Sequence, residues 1–185
     1  MKKALIGAFV GAILVFGWQA VSHMFLHHHD PAYKQIAGQE TVIQTLSEVF
    51  KEDGQYLVPR PDATLSQEEM AKFEESRKGK PWALVTYHSA NDVDMGMAVL
   101  RSFTTAFLSV LIFIGLMGKN RGNFFTVFLK SMGVAAFVFA FVYYNSNIWL
   151  QTPWEVIRPE LLDLLVEWGL CGIWLGWWLN RRVSR

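Results

Sequence analysis

The chain has 185 residues, a length that suits one domain, and 52% of them are hydrophobic, which exceeds the fraction typical of a soluble domain. The net charge of +1 is uninformative because the charges are segregated along the chain, but the lack of a basic patch with interleaved aromatic residues argues against a nucleic-acid partner. The single cysteine, Cys171, excludes an internal disulfide and a Cys-rich zinc site.

The first apolar run, residues 4–25, is long enough to cross a bilayer as a helix, which takes about 20 residues. Two lysines precede the run, as they do in a signal peptide. The apolar sequence continues through Trp18, Val21 and Met24 without a small-x-small cleavage site before the polar sequence begins. We therefore expect the first span to be an uncleaved membrane anchor.

Residues 27–97 form a long polar segment in which acidic residues outnumber basic ones. Apolar residues at helical spacing predict a helix over residues 42–50, and short β-rich runs predict strands at residues 55–58 and 82–87. Ser66 and Glu69 have the spacing of a capping box at the start of a polar helix. We expect a small α+β domain whose first helix covers one face of the two strands.

Three further apolar runs, residues 98–118, 124–144 and 161–179, each approach the length of a membrane span. The sequence therefore predicts a mostly α fold, a four-helix transmembrane bundle with a small α+β external (periplasmic) domain inserted between spans 1 and 2. The predicted boundaries are residues 1–26 for the first span, 27–97 for the periplasmic insertion and 98–185 for spans 2–4 with their short turns.

Three short segments beside these runs carry Lys and Arg but no acidic residue: Lys2 and Lys3, Lys119 and Arg121, and Arg181, Arg182 and Arg185. Cytoplasmic loops of membrane proteins are enriched in Lys and Arg. We therefore expect a multi-pass protein of the bacterial inner membrane, with both the N- and the C-terminus in the cytoplasm and the insertion in the periplasm.

Histidines and acidic residues cluster at the predicted outer ends of spans 1 and 2. His23 and His27 are four residues apart, a spacing that places both on one helix face and allows both to reach a zinc or copper ion. The candidate ligands are His23, His27, His29, His88 and Asp92, with Asp30, Met95 and Met97 as further possibilities. The alternative is that these side chains hydrogen-bond to headgroups, water and backbone, with no cofactor.

Four charged residues lie within or beside the predicted spans: Glu167 and Asp163 in span 4, Lys130 in span 3 and Arg101 at the start of span 2. Charges inside a membrane are costly, usually paired, and often functional. We expect Asp163 to meet Arg101, and the Lys130 stem to reach part of the way to Glu167 or to snorkel. A proton or ion pathway centred on Glu167 is the alternative interpretation.

Small residues line one face of span 1, around Gly7 and Gly11, and one face of span 4, around Gly172 and Gly176. Such faces allow helix backbones to approach closely. They predict tight helix packing within the bundle or a docking face for a partner.

Several segments resemble a family of small four-span inner-membrane proteins of the kind found in Bacteroidota. They are FGWQAVSH at residues 16–23, YLVP at 56–59, GKPWA at 79–83 leading into Tyr87 and His88, and WGLCGIWLGWW at 168–178. The resemblance covers most of the chain. It implies the topology described above and brings no activity and no catalytic residues with it.

The absence of phosphate-binding and hydrolase motifs leads us to expect a non-enzymatic protein. The leading hypothesis is an accessory or assembly subunit of a larger envelope complex, in contact with lipid and with a membrane-protein partner or further copies of itself. The alternatives are a protein that binds or handles copper or zinc at the periplasmic face and a small proton-coupled transporter. Co-purifying partners would distinguish the first from the others.

Overall fold

The computed structural model describes residues 1–181 and is mostly helical. Two basic residues of the third predicted cytoplasmic segment, Arg182 and Arg185, lie outside the described residues. Contacts divide the chain into two units: a helical unit that runs from Met1 to Gln35 and resumes at Asp94, and an insert, Ile36–Val93. Each unit is described separately below.

Four helical segments of the helical unit are long and apolar enough to cross a membrane, so this prediction is confirmed. They are α1 (Lys2–Phe25), α4 (Met95–Met117), the segment that begins with α5 (Phe124–Val138), and α7 (Trp154–Asn180). A π-helical stretch, Phe139–Tyr144, joins α5 to the short α6 (Asn145–Leu150), which makes the third segment continuous from Phe124 to Leu150.

The last span begins earlier than its hydropathy indicates. The apolar run starts near residue 161, whereas α7 starts at Trp154 and continues through Pro159. Pro159 is the sixth residue of α7, so it lies inside the helix and removes the backbone hydrogen bond to the Glu155 carbonyl. The polar first turns of α7 were therefore missed by a criterion based on apolar residues alone.

Helix α7 is central to the helical unit because it packs against both α1 and α5, while α1 also packs against α4. The buried core contains small residues on α1, Ala8 and Ala12, opposite larger residues on the other helices. Val110 of α4 and Cys171 and Leu175 of α7 are fully buried there.

The four predicted packing glycines lie where helices approach most closely. A Cβ atom added at Gly7 would lie 2.9 Å from the Trp178 ring, and one at Gly11 would lie 2.9 Å from Val110. On α7, a Cβ at Gly172 would lie 2.8 Å from Ser131. A Cβ at Gly176 would lie 2.9 Å from the backbone oxygen of Phe124. The glycines of α1 thus face α7 and α4, and those of α7 face α5.

The insert contains α2 (Gln39–Val49), β1 (Gly54–Val58), α3 (Gln67–Arg77) and β2 (Ala83–Tyr87). The predicted order of helix, strand, helix, strand is confirmed. The strands pair antiparallel, with Tyr56 opposite Val85. Ser66 and Glu69 form the predicted capping box at the start of α3.

One expectation about the insert holds only in part. No residue of α2 is buried, and the buried side chain of the predicted covering face is Phe50, which follows the last residue of α2. Phe50 stacks on Tyr56 at 3.9 Å between ring centroids and meets Tyr87 edge-on. One aromatic side chain is a narrower cover than a helix face, which leaves much of the apolar surface of the insert exposed.

A buried carboxylate at the C-terminal end of α1

The Asp163 carboxylate is the centre of the densest polar cluster among residues 1–181. Asp163 lies on α7, is only 4% exposed, and accepts hydrogen bonds from side chains of α1. Trp18 donates through its indole nitrogen at 3.0 Å, and the fully buried Ser22 hydroxyl lies 2.8 and 2.6 Å from the two carboxylate oxygens. Trp18 and Ser22 are four residues apart, so both face α7 from one side of α1.

Two histidines that follow α1 complete the cluster. Nε2 of His28 lies 3.2 Å from Asp163 Oδ1, and Nε2 of His29 lies 2.9 Å from Asp163 Oδ2. The same two nitrogens lie 3.3 and 3.2 Å from the Ser22 hydroxyl oxygen. Asp163 therefore has four polar side chains around it, none of them from Lys or Arg.

The turn after α1 brings these histidines to the carboxylate. The helix ends at Phe25, His27 adopts a left-handed backbone conformation with φ of 51°, and a 3-10 turn follows at Asp30–Ala32. The chain therefore reverses direction immediately after the helix. The His29 ring then stacks on the His23 ring at 4.1 Å, which adds a third imidazole beside Asp163.

His23, His29 and Asp163 form a group that could hold a metal ion, because each offers one ligand atom within 4.8 Å of the other two. Two ligands of a tetrahedral zinc ion lie about 3.3 Å apart, given metal–ligand distances near 2.0–2.1 Å. The group therefore needs only a modest contraction to close on an ion. His23 is exposed to solvent, whereas His29 is partly buried and Asp163 is buried, so the group is open on one side.

A buried nitrogen within this cluster has no hydrogen-bond partner. His28 Nδ1 is the one side-chain nitrogen or oxygen atom among residues 1–181 that is buried and unpartnered. Nε2 of His28 must carry the proton to donate to the Asp163 carboxylate, which leaves Nδ1 of the neutral ring as an acceptor without a donor. Leaving a buried polar atom unsatisfied costs about 1–3 kcal/mol. The ring is thus held for its contact with Asp163 in spite of this cost.

The geometry differs from that of a nucleophilic triad. In a Ser-His-Asp triad the two ring nitrogens of one histidine face the serine and the carboxylate respectively. Here the same Nε2 atom of His29 faces both Ser22 and Asp163, and Ser22 contacts the carboxylate directly. The arrangement is suited to binding a cation or to joining helices.

His27, one of the predicted ligands, lies outside the group. Its side chain is 77% exposed and pairs with Asp30 at 3.2 Å. The prediction assumed that the helix continues through residue 27, so that His23 and His27 share a face. Because α1 ends at Phe25, that spacing argument does not apply.

His88 and Asp92 belong to the insert, where Asp92 is exposed and His88 contacts Asp53 at 3.2 Å. Asp53 also accepts hydrogen bonds from the backbone amide and the hydroxyl of Ser89, at 2.9 and 2.7 Å. These bonds favour the charged carboxylate and hold the pKa of Asp53 at about 2, below its ordinary value of 3.8. The Ser89 hydroxyl has the largest effect.

The predicted pairing of buried charges is wrong. Arg101 and Lys130 are exposed, and among the described residues neither forms an ion pair with Asp163 or Glu167. The long basic side chains extend outward from α4 and α5, where their charged ends avoid the core. Both carboxylates are buried, and Glu167 faces Gln19 of α1.

Three members of the Asp163 cluster, Trp18, Ser22 and His28, were not among the predicted site residues. A signal for the first two was present in the sequence, since a span that carries polar groups at one helical face must find partners for them in another span. No local pattern identifies Asp163 as that partner, because 141 residues separate it from Ser22.

Comparison with protein-family models, with curated proteins and with solved structures gives no match. The function is therefore inferred from the residues of the chain itself.

Proposed function

We propose that this protein spans the bacterial inner membrane four times as a helical bundle, with both termini in the cytoplasm and the Asp163 cluster at the periplasmic end. Apolar side chains on the outer faces of α1, α4 and α5 support membrane insertion, because they are exposed in the isolated chain: for example Phe9, Ile13, Ile112, Leu116 and Phe125.

The positions of the basic residues support this orientation. The Lys3 ammonium donates to the backbone oxygens of Leu179 and Arg181 at 3.0 and 2.8 Å. Lys119 and Arg121 line a hollow together with Met1. The basic segments of the described chain therefore gather at one end of the helices, and under the positive-inside rule that end faces the cytoplasm.

We propose that the cluster binds a divalent transition-metal ion, zinc first, through His23, His29 and Asp163. The observation that carries this proposal is the convergence of their three ligand atoms within 4.8 Å at the end of a buried helix pair. Imidazole nitrogen and carboxylate oxygen are donors that zinc accepts, and three protein ligands leave one coordination position open. His28, at 3.2 Å from Asp163, is the available fourth ligand.

Trp18 and Ser22 would hold the metal-binding carboxylate in place. Ser22 donates to the carboxylate from a buried position and Trp18 from a partly buried one, and together they fix its orientation toward the histidines. Such partners usually accompany metal-binding carboxylates and histidines. The donor set of two imidazoles and one carboxylate favours zinc or Cu(II) over Cu(I), which prefers thiolate and thioether ligands.

The biological role that fits these features is metal binding at the periplasmic face by a non-enzymatic subunit of an envelope complex. The insert supports a partner-binding role, since apolar side chains of α2 such as Ile43 and Val49 are exposed. A stoichiometric membrane partner in gentle-detergent purification is the expected result. A protein that purifies without any partner would contradict the accessory-subunit role and leave the metal proposal intact.

Metal binding is tested on tag-free full-length protein in nanodiscs, by elemental analysis and zinc calorimetry. We expect a saturable zinc site that weakens by at least roughly 10–100-fold in His29→Ala and Asp163→Asn, the loss that even outer-shell changes cause. His23→Ala should weaken zinc binding to a similar extent, with little effect on folding because His23 is exposed.

His27→Ala is the matched control, since it removes an imidazole from the same segment at a position that contacts only the exposed Asp30. Its zinc affinity should equal that of the unmodified protein. Equal zinc affinity in all four variants would show that the cluster joins α1 to α7 without binding metal, and would refute the proposal.

A further inference from the structure

A second polar site lies deeper between the helices, separate from the Asp163 cluster. A cavity of about 280 Å³, open on one side, is bounded by α1, α4 and α7. Its polar lining consists of Gln19, Ser102, Thr105, Ser109 and Glu167. The three hydroxyl residues of α4 follow the spacing i, i+3, i+7, which places them along one helix face. Three helices thus direct polar groups into a region that is otherwise apolar.

Glu167 forms the buried wall of this cavity, with 7% of its surface exposed. The ion pairs within residues 1–181 involve His27, His28, His29, Lys72, Lys78 and His88 with their acidic partners, and none of them includes Glu167. A carboxylate in a low-dielectric interior is either protonated or balanced by a positive charge. The described part of the chain supplies no Lys or Arg for this purpose.

The chemistry of the lining selects the kind of cation. Every polar side chain of the lining carries oxygen: one carboxylate, one amide and three hydroxyls. Oxygen donors suit hard cations, in contrast to the imidazole-containing Asp163 group. Asp163, one helical turn away on α7, is engaged by Ser22, Trp18 and the two histidines. A single carboxylate neutralises a single positive charge.

We propose that the Glu167 cavity is a binding site for a monovalent metal cation of the sodium class. The Glu167 carboxylate supplies the counter-charge, and Gln19 with the α4 hydroxyls replaces part of the hydration shell. Trp168 lines the same cavity and closes its apolar side. This site does not depend on the proposed transition-metal site, because the two share no ligand.

The test uses purified full-length protein in nanodiscs with a chelator present, so that transition metals are excluded. Binding of radioactive sodium is measured by scintillation proximity, and thermal stability is compared in sodium chloride and in choline chloride of equal concentration. We expect saturable sodium binding and a sodium-specific rise in the midpoint of unfolding. Glu167→Gln should weaken sodium binding by roughly 10-fold or more, since it removes the charged ligand.

His27→Ala is the control, because its exposed side chain lies outside both proposed sites, and it should retain sodium binding. If Glu167→Gln does not fold, the charge-preserving pair Ser102→Ala and Ser109→Ala serves instead, with an expected loss of roughly 3- to 10-fold. The proposal is overturned if the unmodified protein shows no saturable sodium binding, if choline stabilises it equally, or if sodium affinity is unchanged in both the Glu167 and the serine variants.

Discussion

Replacing Gly176 by alanine should destabilise the helical unit because of steric overlap alone. A Cβ at this position would lie 2.9 Å from both the Phe124 ring and the Phe124 backbone oxygen. The oxygen belongs to the first turn of α5 and cannot move without shifting that helix. Gly169 on the same helix provides the comparison, since a Cβ there would meet only Met132 Sδ at 3.8 Å, an ordinary contact.

The two substitutions change helix propensity in the same way, so the difference between their free energies of unfolding reports the steric overlap at position 176. Overpacking of this kind costs about 1–3 kcal/mol. For a chain of this size, the difference corresponds to a Tm for Gly176→Ala that is roughly 2–12 °C below that of Gly169→Ala. Gly169→Ala itself should equal or exceed the unmodified protein in stability, since alanine favours the helix by about 1 kcal/mol over glycine.

The single cysteine provides the assay. Cys171 is fully buried in the folded chain, so a thiol-reactive fluorophore labels it only upon unfolding. Heating the detergent-solubilised variants with this reagent gives Tm directly, and no cysteine has to be introduced. Equal midpoints for the two alanine variants would refute the close approach of α5 to α7 at Gly176.

Two further outcomes are expected. Ser89→Ala removes the largest influence on Asp53, so the Asp53 pKa, measured by NMR titration of the carboxyl carbon, should rise from about 2 toward 3.8. Because the folded-state pKa is lowered, Asp53 contributes stability at pH above 3.8 that is lost as the pH falls toward 2, and this loss should be smaller in the variant. An unchanged Asp53 pKa in the variant would contradict the assignment. Trp178→Phe removes the 2.7 Å hydrogen bond from the indole to the Lys3 backbone oxygen, and it should lower the free energy of unfolding by about 0.5–1.5 kcal/mol in the same thiol assay. Trp177→Phe, which changes a half-exposed indole, should lower it by less.

Much of the fold follows from patterns along the chain. Apolar length predicts the four candidate spans, and the alternation of helix and strand signals predicts the order of elements in the insert. These signals are local, since each depends on a stretch of residues that forms one element. The cover over the strands was predictable only in part: Phe50 belongs to the predicted covering face, but α2 ends at Val49 and the rest of that face is not buried.

The candidate site was harder to predict because it joins distant segments. The sequence directed attention to His23 and His29, but it paired Asp163 with Arg101 through opposite charge. In the structure Asp163 instead accepts hydrogen bonds from Ser22 and Trp18, which face α7. The chain reversal after Phe25 then brings His28 and His29 to the same carboxylate. That reversal depends on a left-handed residue, His27, whose conformation has no clear sequence signal because it is not glycine.

The contacts between α1 and α7 have a consequence for the biosynthesis of the chain. Trp18 and Ser22 leave the ribosome 145 and 141 residues before Asp163. At typical elongation rates that is a delay of roughly 7–28 s, during which these polar groups of the first helix lack their acceptor. A chain that stops before α7 lacks this acceptor altogether. The Asp163 cluster can therefore close only after α7 has been synthesised, so the polar groups at the end of α1 find their acceptor late in the synthesis of the chain.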